Sequence, residues 1–182
     1  MHEQLAGFAP RLKAFLLDYV VIAAYLIALI VGSVVARAVA PAFSESVMST
    51  QYSAEAVGFV TVTAPVSLYF LLSDASINQA TLGKRRIKLK VVRMKDGTRL
   101  STVRSLGRTT LKFAPWELSH GLIWYIVFHP DGTVVFYSGI AIVFGLVISN
   151  IVMLTFTRTH QTLYDLVMDT VVTARTACPV ST

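Results

Sequence analysis

The chain has 182 residues, of which 54% are hydrophobic and only 14% charged, against about 25% charged in a soluble domain. That excludes an ordinary water-soluble globule and points to a chain embedded in lipid. The length suits a single unit over 1–182, and the formal net charge of +6 fits nucleic acid, anionic lipid or membrane topology, depending on where the cations lie.

Four apolar runs approach the ~20 residues that cross a bilayer. The first covers about 12–39, with Arg11 just before it and Asp18 inside it. It is longer than a secretory apolar core of roughly 7–15 residues, and Pro41 directly follows the most plausible cleavage site, so the run is expected to remain as a span. The second covers about 56–72 and contains Pro65. The third, 113–128, is the weakest and holds Glu117 and His120. The fourth, 134–156, is strongly apolar.

Between the second and third runs lies a basic loop, 74–112. Its cations are Lys84, Arg85, Arg86, Lys88, Lys90, Arg93, Lys95, Arg99, Arg104, Arg108 and Lys112. Residues 41–55 and 129–133 hold no Lys or Arg. By the positive-inside rule, this distribution predicts four spans with both termini in the cytoplasm. The loop lacks the aromatic residues that stack on bases, which argues against nucleic acid. Anionic lipid headgroups are the expected partner, with Lys84, Arg85 and Arg86 as contact residues.

Within the loop, "RIKLKVVRMKDGTRLS" alternates in polarity around a turn signal at Asp96-Gly97, which predicts a two-stranded hairpin. A basic helix is expected over 102–112. After the fourth run, "HQTLYDLVMDTVVT" reads as a short amphipathic helix with Asp165 and Asp169 on one face. The expected fold is therefore an all-α membrane protein: four transmembrane helices, a short cytoplasmic β-hairpin and amphipathic helices.

Arg11 and Asp18 lie seven residues apart, so they share a helix face about 10 Å apart along the axis. A water, an ion or a residue of another helix fits between them. Alternatively, Asp18 sits near the interface and reaches water. Glu117 and His120, three apart, form either a proton-handling pair or half of a metal site. A metal site needs further ligands that the chain lacks, so none is expected, and Trp116 suggests instead that the pair marks the lip of the third span. Asn150 on the fourth run could bond across helices or coordinate a cation.

A phosphate-binding loop at 78–86 is excluded, because Asn78 replaces its first glycine and Arg85 follows Lys84. The lone Cys178 cannot form an internal disulfide. The histidines are scattered (His2, His120, His129, His160), and no nucleophile motif occurs. Neither an enzyme nor a cofactor is expected.

Three stretches together resemble the RDD family of small bacterial membrane proteins. They are Arg11-Leu-Lys-Ala-Phe-Leu-Leu-Asp18-Tyr19, Ala80-Thr-Leu-Gly-Lys-Arg85 followed by the alternating segment, and Gln161-Thr-Leu-Tyr-Asp165-Leu166 ending in Thr170-Val-Val172. The resemblance implies that Arg11, Asp18 and Asp165 are the arginine and two aspartates of the family's name, and that the membrane is the bacterial inner membrane. Gln79 and Lys88 stand where glycine is common in the family, and Asp169 where a small residue is common. Asp169 is expected to raise the proton affinity of Asp165.

Some family members are described as cation/proton antiporters. The resemblance thus implies transport of a small cation or solute, with Na+(K+,Li+)/H+ exchange as one form. Asp18 and Asp165 would alternately hold proton and cation, Arg11 would tune them, and Asp169 and Asn150 would support them. Four helices are few for alternating access, so a homo-oligomer is expected under that reading. The competing expectation is a non-transporting adaptor or structural protein whose Arg/Asp network is a static ion-pair cluster. Transport predicts a wet crevice reaching Asp18, and the static cluster predicts Asp18 sealed against a base.

Overall fold

The computed structural model describes residues 4–175; His2 and Cys178 lie outside the described residues. Helix α1 spans Phe8–Val39. Pro10 falls in its first turn, where the missing N–H has no helical partner to lose. The helix ends at Ala40, whose backbone is non-helical (φ −135°, ψ 65°), because the residue before a proline is pushed out of the α region. Pro41 then opens α2, Pro41–Val47. Thr50 and Ser53 form a reciprocal cap at the start of α3, Gln51–Gly58.

Pro65 does not break the second apolar run. A π turn over Phe59–Thr63 joins α3 to α4, Ala64–Ala75, so 51–75 is one continuous helical rod. In a regular helix the residue at 65 would donate to the Thr61 carbonyl, and proline has no N–H to give. The Tyr25 hydroxyl donates to that carbonyl instead.

The remaining elements are α5 (Leu82–Arg86), strand β1 (Leu89–Arg93), α6 (Thr102–Phe128), α7 (Thr133–Phe156), α8 (Leu163–Val167) and strand β2 (Thr170–Ala174). The basic stretch 102–112 and the third apolar run thus form one helix, with Pro115 inside it. Three helical stretches are long and apolar enough to cross a membrane: Phe8–Val39, Gln51–Ala75 and Thr133–Phe156. Helix α6 is not one of them, because Lys112, Pro115, Glu117 and His120 lower the hydropathy even of its last two-thirds.

The chain divides into two compact units. The first holds the residues up to Tyr19, Tyr69–Thr109 and those from Ser149 onward; the second holds Val20–Leu68 and Thr110–Ile148.

The first unit is built on a two-stranded antiparallel sheet. β1 pairs with β2 in the register Leu89↔Ala174 through Arg93↔Thr170. The expected ribbon is therefore present, but its second strand comes from the end of the chain. The Asp96-Gly97 turn does form, with Gly97 at φ 67° and the Arg93 N–H donating to the Thr98 carbonyl at 3.0 Å. The residues after it do not extend as a strand. The amphipathic helix expected over 160–173 is likewise cut short. Only α8 is helical, and the β-branched run Thr170-Val-Val-Thr173 takes the extended form such residues favour. Leu5 bridges to Thr173 on the other edge of β2, and Ala6, Ala14, Leu89, Val91, Leu100 and Val172 pack together as a small core.

In the second unit the apolar side chains face outward. Val20, Ile27, Val34, Val135, Ile142 and Phe144 are exposed, a distribution that suits lipid rather than water as the neighbour. Gly139 on α7 lets that helix approach α6: a Cβ there would lie 2.6 Å from the Leu122 side chain.

Candidate functional site

Five charged side chains of the first unit form one buried chain of ion pairs. Arg11, on the first turns of α1, donates from Nη1 to Asp165 Oδ2 at 2.7 Å. Arg108, near the start of α6, donates from Nε to Asp165 Oδ1 at 2.8 Å and from Nη1 to Asp74 Oδ2 at 2.5 Å. Lys84 of α5 donates to Asp74 Oδ1 at 2.6 Å. Cation and anion alternate along the whole series, Arg11–Asp165–Arg108–Asp74–Lys84.

Local structure fixes each member. Asp165 belongs to the reciprocal cap of α8 with Thr162, and it also accepts from the Thr170 hydroxyl at 3.0 Å. Arg11 spends its remaining donors on backbone carbonyls: Nε to Ala6 at 3.0 Å and Nη2 to His160 at 2.6 Å. Asp165, Asp74 and Arg108 are all buried. Charges at such depth persist only when paired and hydrogen-bonded.

The electrostatics follow from this geometry. Burial alone would push the Asp165 carboxyl up, but Arg108 and Arg11 outweigh it and hold the group well below the usual carboxylate range. For Arg108, burial opposes the charge, and Asp165 and Asp74 more than restore it. Lys84 goes the other way: burial pulls it down further than Asp74 lifts it. Burial, and then the neighbouring Asp165, raises the Tyr164 phenol; Arg108 lies 5.1 Å from the centre of that ring. The expectation that Asp169 raises the proton affinity of Asp165 is overturned by the two guanidiniums. Asp169 itself is half-buried, with Arg104 Nη1 at 3.5 Å.

Asp18 stands apart from this series. Tyr69 donates its hydroxyl to Oδ1 at 2.7 Å, the Gly83 N–H donates to Oδ1 at 2.8 Å, and Thr81 donates its hydroxyl to Oδ2 at 2.6 Å. Asp18 is 1% exposed. It is sealed, as the static-cluster expectation required, but by neutral donors and not by a base. The Arg11/Asp18/Asp165 triangle does not form, because Arg11 turns to Asp165 alone. The donors to Asp18 also build the start of α5. Thr81 caps that helix, and Tyr69 accepts from the Leu82 N–H at 3.0 Å. Gly83 is required here by space, since a Cβ would lie 2.1 Å from the Ala14 carbonyl oxygen.

The other expected residues are placed as follows. Asn150 Oδ1 accepts from the Leu163 N–H at 3.0 Å, so it anchors α8. Arg85 and Arg86 are exposed, whereas Lys84, expected at lipid headgroups with them, is buried against Asp74. Glu117 and His120 lie in the second unit, where they line a cavity of about 130 Å³ with Glu55, Gly58, Phe59, Gly121 and Trp124. The ring of His120 lies 4.7 Å from that of Trp116. Among the described residues, no group of three or more His, Cys, Asp or Glu could hold a metal ion.

Asp74 and Arg108 did not stand out in the sequence. Asp74 closes the second apolar run as Asp18 opens the first, and an acid at that depth is a signal in its own right. Arg108 was one of many cations in a loop assigned to topology. Arg99 and Arg104 also bind backbone, donating to the carbonyls of Ala75, at the end of the 51–75 rod, and of Met168, just after α8.

The same three segments, in the same order, supply most of this site: Arg11 and Asp18 from the first, Thr81 to Lys84 from the second, Thr162 to Thr170 from the third, with Tyr69, Asp74 and Arg108 added from between them. A family model described as the RDD family matches residues 5–169. The chain belongs to the RDD family. It is also 36% identical over 133 residues to the uncharacterized protein YxaI of Bacillus subtilis (strain 168), covering 69% of this chain and 84% of that protein. No solved structure matches it. Membership and the apolar helices together make it a membrane protein. Gln79, Lys88 and Asp169, which the resemblance marked as departures, all hold positive φ, at 51°, 58° and 50°. Those are left-handed positions that glycine adopts most readily.

Proposed function

We propose that this RDD protein is a non-catalytic, multi-pass scaffold of the bacterial inner membrane, with four spans, both termini cytoplasmic, and a static ion-pair clamp at the cytoplasmic ends of its helices. The carrying observation is that Asp165 is fully buried with both oxygens taken, one by Arg11 and one by Arg108. A carboxylate that must trade a proton for a cation needs a free oxygen and a wet approach, and Asp165 has neither. The clamp ties α1, α4, α5, α6 and α8 through side chains alone. The exposed Arg85 and Arg86 beside exposed Leu82 would then meet anionic headgroups or an acidic partner protein.

One observation favours a second reading, exchange of a small cation for a proton. Among the described residues Asp18 has no basic partner, and its ligands are two hydroxyls and one amide. Hydroxyl-supported carboxylates can bind either a proton or an alkali cation. Under that reading the chain works as a homo-oligomer. Reconstitution in liposomes with a pH-sensitive dye separates the two. The scaffold predicts that Na+, K+ or Li+ moves no protons above the empty-liposome rate. Cation-driven proton flux that is abolished in a folded Asp18→Asn variant would overturn it.

A further inference from the structure

The cavity in the second unit has no part in the clamp, and its lining has a definite chemistry. Two carboxylates, Glu55 on α3 and Glu117 on α6, face it with the imidazole of His120 and two aromatic rings, Phe59 and Trp124. Glu55 Oε1 accepts from Gln51 at 2.8 Å. Glu117 Oε2 is buried and accepts no hydrogen bond from any described residue. A buried carboxylate oxygen without a donor is costly in any fold, and more so in a unit whose outer faces are apolar. The wall opposite α6 is the junction where α3 passes into the π turn at Phe59, and such turns recur at binding sites.

We propose that this cavity binds a primary alkylammonium ion. The ammonium N–H groups supply the donors that Glu117 Oε2 lacks and reach Glu55 and the imidazole of His120. The positive charge offsets the two carboxylates. The alkyl carbons lie between Phe59 and Trp124, whose faces attract a cation. A divalent or transition metal fits less well, because the acids and the histidine are not grouped as metal ligands. The inference is independent of the clamp, since no residue of the clamp lines the cavity.

The test is calorimetric titration of the purified full chain with ethylammonium chloride, set against potassium chloride at equal ionic strength. The expected result is saturable binding of ethylammonium and none of potassium. Glu117→Gln and Glu55→Gln should each weaken ethylammonium binding at least tenfold, with helix content unchanged by circular dichroism. Should Glu117→Gln fail to fold, Glu55→Gln and Trp124→Leu carry the test. No saturable heat in the wild type, equal binding of potassium, or undiminished binding in the folded variants would each overturn the proposal. Liposome flux leaves it untouched, so its failure is distinct from failure of the scaffold reading.

Discussion

Asp165 in the first unit and Glu117 in the second are both acids in a lipid-adapted chain, and their surroundings differ. Asp165 has a guanidinium on each oxygen, a hydroxyl and a capping contact. Glu117 has one oxygen buried with no hydrogen-bond partner among the described residues. The first arrangement is what a fold does with charge it uses to hold itself together: every donor and acceptor is spent internally. The second leaves a group whose partner must come from outside the fold. Sealed acids thus mark structure, and unsatisfied acids mark a site.

The contrast breaks most sharply at Arg108, which bridges both aspartates. Arg108→Met removes the central cation, the one that bridges Asp165 and Asp74. Destabilisation of about 3–5 kcal/mol is expected, the range for removing one member of a buried pair. Thermal unfolding in detergent should show it as the largest fall in Tm of any single variant in the cluster. A loss no larger than that of an exposed arginine such as Arg85 would mean that the clamp contributes nothing.

Acid should loosen the same clamp. The folded chain holds the Asp165 carboxyl below its unfolded value, so the stability it contributes is complete above a pH of about 4. That contribution is lost as the pH falls from there toward the lower folded value. A Tm profile of the wild type should therefore turn down below about pH 4. In Asp165→Asn, which starts less stable, that part of the downturn should be missing. Parallel profiles would assign the acid sensitivity elsewhere.

Asp18 and Lys84 sharpen the comparison at smaller amplitude. Asp18→Asn keeps the shape but exchanges one acceptor for a donor that faces either the Thr81 hydroxyl or the Tyr69 hydroxyl and Gly83 N–H, at a cost of about 1–3 kcal/mol. Lys84→Met should cost less, about 1 kcal/mol, because burial disfavours this ammonium more than Asp74 favours it. If Lys84→Met proves as damaging as Arg108→Met, the two ends of the ion-pair chain are equivalent and the burial argument for Lys84 fails.

Much of this was legible in the residues. Apolar runs located the three long helices within a few residues, since hydropathy needs no tertiary information. The strands were harder. Leu89–Arg93 alternates and was readable, but its partner Thr170–Ala174 lies far along the chain, and a local turn at Asp96-Gly97 offered a nearer one. Nothing local distinguishes a turn that closes a hairpin from a turn that does not. The site was half legible. Arg11, Asp18 and Asp165 were found, but their pairing was not, because which carboxylate a guanidinium meets depends on how the helices pack. Lys84 shows the limit most plainly: flanked by Arg85 and Arg86, it carries no mark in sequence that it points inward.

The smallest expected effect concerns the backbone. Lys88 holds φ 58°, a left-handed conformation that crowds its Cβ against the following carbonyl at roughly 1–2 kcal/mol for an ordinary residue. Glycine removes that crowding but makes the unfolded chain more flexible, which returns up to about 1 kcal/mol. Lys88→Gly should therefore raise stability by less than about 1 kcal/mol, a Tm rise of a few degrees at most. Lys88 is exposed, so no packing or ion pair of the clamp changes with it. A fall in Tm would mean that the lysine side chain makes a contact worth more than the backbone relief. A rise would leave the clamp as the source of the larger effects and the loop as a separate, purely conformational contribution.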